Sequence, residues 1–319
     1  VVLSADGACA VVETPASGGG SDYTYPYGDA YSGSTGNWTA LSTADPARPE
    51  WSTPAELFAR RAAKGQLSAS EAAALQQFQT RHALAPDGVL GAASFRALTM
   101  PLVQRVRQIE LTLERWRWLA PFSTPPIIVN IPQFHLYAFR STEDRVAHML
   151  QMPVIVGRIF PRMRTPVFES EMRYLVFRPY WDVPASIVRN EMLASIRKSP
   201  DYLTRNDLEL VRGGGDDGRV VEPDAANIEA LAAGELRLRQ RPGDDNALGL
   251  VKFVMPNEYK VYLHATPEQH LFAATRRAYS HGCIRVGAPA QLALHVLQVS
   301  GGDWTAEAVA AAMHGSDAR

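Results

Sequence analysis

Ala278-Tyr279-Ser280-His281-Gly282-Cys283-Ile284-Arg285-Val286 holds one of the two cysteines of the chain, with a histidine two residues before it and an arginine two residues after. On an extended backbone, residues i and i+2 share a face. The spacing therefore predicts that His281 and Cys283 meet without help from a distant residue. A base beside a thiol is what cysteine chemistry requires, because the thiolate is the attacking species. Arg285 is a second nearby cation, and cations lower a thiol's pKa. Gly282 lets the backbone come close to a substrate. The N–H groups of Gly282 and Cys283 are candidate donors to a developing oxyanion. The bland alternative is a small buried hydrophobe, the usual fate of a lone cysteine in a β-rich domain.

Working upstream, Val261-Tyr262-Leu263-His264 reads as the end of a strand. Val261 and Leu263 share one face, which puts His264 on the other with Tyr262. His264 is either an ordinary hydrogen-bonded histidine or a neighbour that tunes and orients Cys283. His264, His270, His281 and Cys283 are chemically competent zinc ligands, but their spacing matches none of the common zinc patterns, so no metal is expected. A papain-like arrangement is excluded by order, because that family carries its cysteine early and its histidine far downstream.

From Pro125 onward the chain alternates short apolar runs with Pro and Gly. Residues 127–131, 134–139, 149–156, 174–177, 250–255 and 259–264 read as strands. Residues 184–246 break this pattern, with helices expected at 187–196 and 222–233 around a glycine-rich loop at 213–218. An irregular stretch of this size inside a β domain is more often functional than passive, and we expect a lid of helix and loop. Pro289 and about Trp304 open two further helices. The fold class expected is α+β, with a mainly β domain over 121–319.

Residues 51–120 read as a small helical module and connecting helix. Ser52 or Thr53 can cap a helix with Pro54 in its first turn, Ser68-Ala69-Ser70-Glu71 matches a capping box, and Pro86-Asp87-Gly88 is a turn signal. Leu102, Val106, Ile109, Leu113 and Trp116 recur at helical spacing as one apolar stripe, with Arg105, Arg107, Arg115 and Arg117 off it. Residues 1–50 are rich in Gly, Ser, Thr and Tyr and read as a tail or linker. Asn37-Trp38-Thr39 fits a short glycosylation sequon. With 319 residues, 46% hydrophobic and 20% charged, the chain can bury a core and about two domains. Its net charge of −1 does not suggest nucleic acid, and no run is long enough to cross a bilayer. Two cysteines are too few for a disulfide framework. The start at Val1 suggests a trimmed or mature form whose targeting segment is missing.

The combination His264…Ser280-His281-Gly282-Cys283-Ile284-Arg285-Val286 resembles the signature of L,D-transpeptidases with a YkuD-type catalytic domain. That signature is a histidine, a spacer of about fifteen residues, then Ser/Thr-His-Gly-Cys. Val129-Asn130-Ile131-Pro132, Val156-Gly157-Arg158, Arg164-Thr165-Pro166, Pro179-Tyr180-Trp181-Asp182-Val183-Pro184 and Asn246-Ala247-Leu248-Gly249 are similar to the longer, periplasmic branch. Leu75-Gln76-Gln77-Phe78-Gln79 with Pro86-Asp87-Gly88-Val89-Leu90-Gly91 resembles its upstream peptidoglycan-binding module. The likeness covers about residues 55–313, and Arg285 stands where many relatives have Asn. It implies a YkuD-like β-sandwich, a capping insertion, and no cofactor. It implies Cys283, His281, His264 and Gly282 in catalysis, and Arg285, Ser280, Tyr262 and Trp181 toward substrate. The implied partners are peptidoglycan stem peptides as donor and acceptor, with carbapenems as inhibitors. The implied reaction is 3→3 cross-linking through a cysteine thioester with release of terminal D-alanine. Water as acceptor (an L,D-carboxypeptidase or endopeptidase), a protein amine as acceptor, and a catalytically silent wall-binding protein are the alternatives.

Overall fold

The computed structural model describes residues 2–4, 9–12, 67–119, 121–143, 149–158, 163–199, 201–215 and 218–315, the first two segments as backbone alone. The expected cap at Ser52 or Thr53, the sequon at Asn37 and most of the expected tail lie outside the described residues. The chain divides into two compact units, one of Glu13–Pro121 and one of Val1–Val12 with Phe122–Arg319.

In the first unit, α1 (Ala69–Arg81), α2 (Ala92–Thr99) and α3 (Leu102–Arg117) are helical. Ser68 and Glu71 form the predicted capping box, which satisfies two backbone donors that the first turn of α1 cannot pair internally. The turn after α1 is pinned by Gln79. Its buried amide donates to Asp87 Oδ1 at 2.7 Å and to Ser94 Oγ at 3.0 Å, and accepts from the Gly88 N–H at 2.9 Å. Leu75 and Leu90 form a small core with Leu67, Phe78, Phe95 and Leu98. In α3 the apolar stripe faces outward. No residue of this helix is buried, and Leu102, Val106, Ile109 and Leu113 are each more than half exposed.

The second unit is built on strands β1 (Val2–Ser4), β2 (Cys9–Val12), β3 (Pro126–Asn130), β4 (His135–Ala138), β5 (Leu150–Gly157), β6 (Glu169–Ser170), β7 (Tyr174–Phe177), β12 (Val251–Val254), β13 (Leu263–His264), β14 (Ala278–Ser280) and β15 (Ile284–Val286). They join in the order β1-β6-β2-β3-β4-β5-β15-β13-β12-β7, with β14 alongside β5. Residues 1–50 are thus not all tail: β1 and β2 pair with β3, as their β-branched Val2, Val11 and Val12 favour. Strand β5 belongs to both halves of the sheet. Its Leu150–Pro153 face β4, and its Val154 and Ile155 face β15. One buried cluster takes side chains from both halves: Val129, Leu136 and Val154 with Phe253, Leu263 and Ile284. For strands at both ends to meet in one core, the sheet must curl. The expected sandwich is a single curled sheet whose halves share β5. Helices α7 (Pro289–Val299) and α8 (Ala306–Met313) close the same core with Leu292, Val296 and Val309.

Between β7 and β12 the chain builds a body with its own core. Strands β8 (Trp181–Asp182), β9 (Leu208–Arg212), β10 (Arg219–Val221) and β11 (Arg237–Gln240) form a second antiparallel sheet in the order β10-β9-β11-β8. Helix α4 runs through Ala185–Ile187, a π-helical turn at Val188–Met192, and Leu193–Lys198; α5 (Asp201–Arg205) and α6 (Ala225–Ala233) follow. Val188, Leu193, Ile196, Leu210, Leu231 and Leu238 pack together apart from the main cluster. The expectation of a helix-and-loop insertion is therefore corrected, because the insertion carries a four-stranded sheet. Arg237-Leu238-Arg239-Gln240 does not look like a strand, since its buried Arg239 is polar. The buried guanidinium pairs with Glu209 across the sheet at 2.5 Å and lies 4.0 Å over the Tyr180 ring.

Candidate active site

Three strands of the curled sheet carry the site. Strand β13 pairs in parallel with β15, Leu263 against Ile284 and His264 against Arg285. It pairs with β12 on its other edge, Phe253 against Leu263 and Lys252 against His264. Phe253, Leu263 and Ile284 are buried in the core. Because side chains alternate across a strand, Lys252, His264 and Arg285 form a row on the opposite face. Tyr262 and Cys283, the residues just before the paired positions, fall on that same face. The Ile284 N–H donates to the Tyr262 carbonyl at 3.0 Å and fixes this register. Leu263 and Ile284, fully buried, each stabilise the arrangement by roughly 1.5–3 kcal/mol.

The chain enters this row through a tight turn. Gly282 has φ +124°, a conformation that side-chain-bearing residues rarely adopt. The extended backbone behind the expectation that His281 and Cys283 share a face is therefore absent, since Gly282 turns the chain between them. Buried Ser280 braces the turn, its hydroxyl donating to the Cys283 carbonyl and accepting from the Gly282 N–H at 3.1 Å. The Gly282 N–H is thus occupied, which corrects the expectation that it faces an oxyanion. Thr165 braces the turn from outside. Its hydroxyl donates to the Gly282 carbonyl at 2.8 Å and accepts from the Gly157 N–H at 2.9 Å. Gly157 has no room for a side chain, because an added Cβ would lie 2.0 Å from the Met163 carbonyl oxygen.

Cys283 is a free thiol. Its Sγ lies 3.8 Å from the Lys260 carbonyl. Burial pushes the thiol pKa up; hydrogen bonds from the Tyr262 backbone and hydroxyl, and the charges of Lys252 and Arg285, work against that rise. Burial likewise raises the Tyr262 phenol, helped by the neighbouring thiol and by Asp182. His264 is buried on the same face, with its ring 5.6 Å from that of Tyr262. Burial and the Arg285 charge push His264 down to about 3, against the carbonyls of Ala265 and Leu248, which favour its charged form. Its Nδ1 sits 2.5 Å from the Ala265 carbonyl oxygen, so Nδ1 carries the proton. At neutral pH this face of the sheet therefore carries a thiol and a neutral imidazole.

The other expected site residues are placed as follows. His281 lies at the rim, its Nε2 2.7 Å from Glu191 Oε1. Arg285 pairs through Nη1 with Glu268, and its buried Nε has no hydrogen-bond partner among the described residues. Trp181 packs against the core of the insertion, and no described contact joins it to Cys283. Among the described residues no group of three or more His, Cys, Asp and Glu side chains is placed to hold a metal ion.

Sequence reasoning missed four contributors. Lys252 stands opposite His264 with its ammonium 4.2 Å over the Tyr262 ring. The expected strand over 259–264 begins only at Leu263, because Lys260 adopts φ +55° in a loop that the Asn257 side chain ties to Met255 and Val261. That loop aims the Lys260 carbonyl at the thiol. Thr165 and Glu191 are the other two. Only Thr165 had a signal, as the centre of Arg164-Thr165-Pro166.

A protein of Haemophilus influenzae described as "Putative L,D-transpeptidase" is 33% identical over 200 residues, which is 62% of this chain and 38% of that protein. The chain thus spans about two-fifths of the length of this relative. Residues 125–301 match the family model of the L,D-transpeptidase catalytic domain, YkuD. The match takes in strands β3 to β15, the insertion and the whole Cys283 row, and by it the chain belongs to the YkuD family of L,D-transpeptidase catalytic domains.

Proposed function

We propose that this chain joins peptidoglycan stem peptides by L,D-transpeptidation, with Cys283 as nucleophile. The observation that carries this reading is the free Cys283 thiol on the same sheet face as Tyr262, His264, Lys252 and Arg285, in a domain of this family. The donor is a stem tetrapeptide. The Cys283 Sγ attacks the carbonyl carbon between the third residue, a diamino acid, and terminal D-alanine. The thiol proton passes to His264, whose protonated Nδ1 leaves Nε2 as its basic nitrogen. The Cys283 N–H is the remaining backbone donor at the nucleophile for the oxyanion, since Gly282 donates to Ser280. As the C–N bond breaks, the proton goes to the departing D-alanine amine and a thioester remains. The side-chain amine of a second stem then attacks the thioester, restores the thiol and gives a 3→3 cross-link. A covalent intermediate splits one difficult acyl transfer into two easier steps.

On this reading, His281 holds the rim and Arg285, with Lys252, supplies positive charge beside the thiol and the stem carboxylates. The helical module over 51–120 would hold the enzyme on its polymeric substrate, and the enzyme would work in the periplasm, where that polymer lies. Among the described residues no helix is long and apolar enough to cross a membrane.

Incubation with purified tetrapeptide muropeptides tests the reading. Cross-linked dimers and free D-alanine from the wild type, with neither from Cys283→Ala, are expected. Tripeptide monomers alone would mean that water is the acceptor and the enzyme an L,D-carboxypeptidase. A carbapenem should add covalently to Cys283, visible as a mass increase of the intact protein.

A further inference from the structure

We propose that Glu191 is a positioning residue of this site, which docks the insertion onto the Ser280–Cys283 turn by holding His281 through Nε2. The inference rests on the transpeptidase reading for its functional consequence, but its structural basis is independent of that reading. The contact is 2.7 Å between residues 90 apart in sequence, and both side chains are partly exposed.

Three features make it a docking contact rather than an incidental surface pair. First, the insertion has its own core of Val188, Leu193, Ile196, Leu210 and Leu238, separate from that of the curled sheet. Its position over the motif is therefore not set by a shared core. Second, Glu191 lies in the π-helical turn Val188–Met192. Val188 and Leu193 are five residues apart and both buried. An α-helix, at 3.6 residues per turn, would put them on different faces, whereas the i→i+5 bond from the Leu193 N–H to the Val188 carbonyl brings them together. The extra residue in that turn keeps both side chains in the core and leaves Glu191 to face His281. Such π-turns occur often at functional sites. Third, Gly282 turns the chain, so that His281 reaches toward the insertion while Cys283 stays on the sheet face. Ser280 and Thr165 hold that turn. A carboxylate that fixes the His281 ring therefore couples the insertion to the residue next to Gly282, and closure over the cleft to exclusion of water from the thioester.

Hydrogen exchange and product partition together test this. In Glu191→Ala, amides over Val188–Met192 should exchange about 3- to 10-fold faster than in the wild type, the range expected for loss of one partly exposed charge-assisted hydrogen bond. His281→Asn should give the same increase, and the double variant no more than either single one. Glu191→Gln, which can still hydrogen-bond His281, should stay within about twofold of the wild type. With muropeptides, Glu191→Ala should raise the share of hydrolysed tripeptide over cross-linked dimer, while the pH midpoint of Cys283 alkylation by iodoacetamide is unchanged. Unchanged exchange in either single variant, additive effects in the double variant, or an unchanged product share would overturn the proposal. If the wild type makes no product at all, the transpeptidase reading fails, and the exchange data still decide whether Glu191 docks the insertion.

Discussion

The floor of the site and its rim are built on opposite principles. On the floor, Lys252, His264 and Arg285 stand in register across three strands whose other face is the main core, so their positions follow from the packing of Phe253, Leu263 and Ile284. At the rim, His281 is held by one carboxylate from a body with its own sheet and core. The two histidines illustrate the difference. His264 is sealed and held neutral, with its proton fixed on Nδ1, whereas the His281 side chain is 30% exposed and placed by a partner 90 residues away. The floor thus rests on the core of the curled sheet, whereas the Glu191 that holds His281 belongs to a body with a core of its own.

The largest test of that division removes the floor histidine. His264→Asn should lower kcat by about 10²- to 10⁴-fold, the usual worth of a positioned general base, with the circular dichroism spectrum retained. A kcat within tenfold of the wild type would shift the base elsewhere. The next test loosens the rim alone. Glu209→Ala breaks the pair with Arg239, which is 4% exposed, and breaking a buried pair of this kind costs about 3–5 kcal/mol. Proteolysis or hydrogen exchange should rise across 208–240 while the pH midpoint of Cys283 alkylation keeps its wild-type value. A matching change in alkylation would show that floor and insertion are one cooperative body.

A third test uses pH. His264 falls from its ordinary value of 6.5 to about 3 on folding. Between these values the unfolded chain binds a proton that the native protein does not, so stability rises with pH in this window. The contribution is fully present above 6.5 and is lost as pH falls toward 3, by roughly 1 kcal/mol per pH unit. Urea titrations at pH 7, 5.5 and 4.5 should show this loss in the wild type and a flatter profile in His264→Gln. Equal slopes in the two proteins would contradict a sealed neutral imidazole. The smallest expected effect is that of Lys252→Met. Loss of the ammonium near Cys283 should raise the apparent pKa of thiol alkylation, by on the order of one unit, since Lys252 partly offsets the upward push of burial. Both proteins should alkylate faster as pH rises, with no plateau at low pH, because the resting pair is thiol and imidazole rather than an ion pair.

Much of the floor was legible in the sequence, because its signals are local. Alternation placed Tyr262 and His264 opposite Val261 and Leu263, and the capping box and the Asp87-Gly88 turn followed from residues a few positions apart. What was not legible is register and long-range partnership. The alignment of Lys252 with His264 exists only once β12 and β13 pair. The same-face argument for His281 and Cys283 failed because Gly282 adopts a positive φ, which a glycine permits without announcing. The sheet of the insertion escaped because Arg237 and Arg239 are polar strand residues whose partners, Asp182 and Glu209, lie 55 and 30 positions away. The apolar stripe of α3 was legible as a pattern, but the pattern alone did not say that the stripe would face outward.

The most direct test of the central claim is the intact mass of the protein, quenched in acid during reaction with a tetrapeptide donor whose side-chain amine is acetylated, so that no acceptor amine is present. The reading predicts a mass gain equal to the acyl tripeptide stem, mapped to the peptide containing Cys283, with one D-alanine released per adduct and no adduct in Cys283→Ala. An adduct that persists in Cys283→Ala, or D-alanine released by that variant at the wild-type rate, would contradict it.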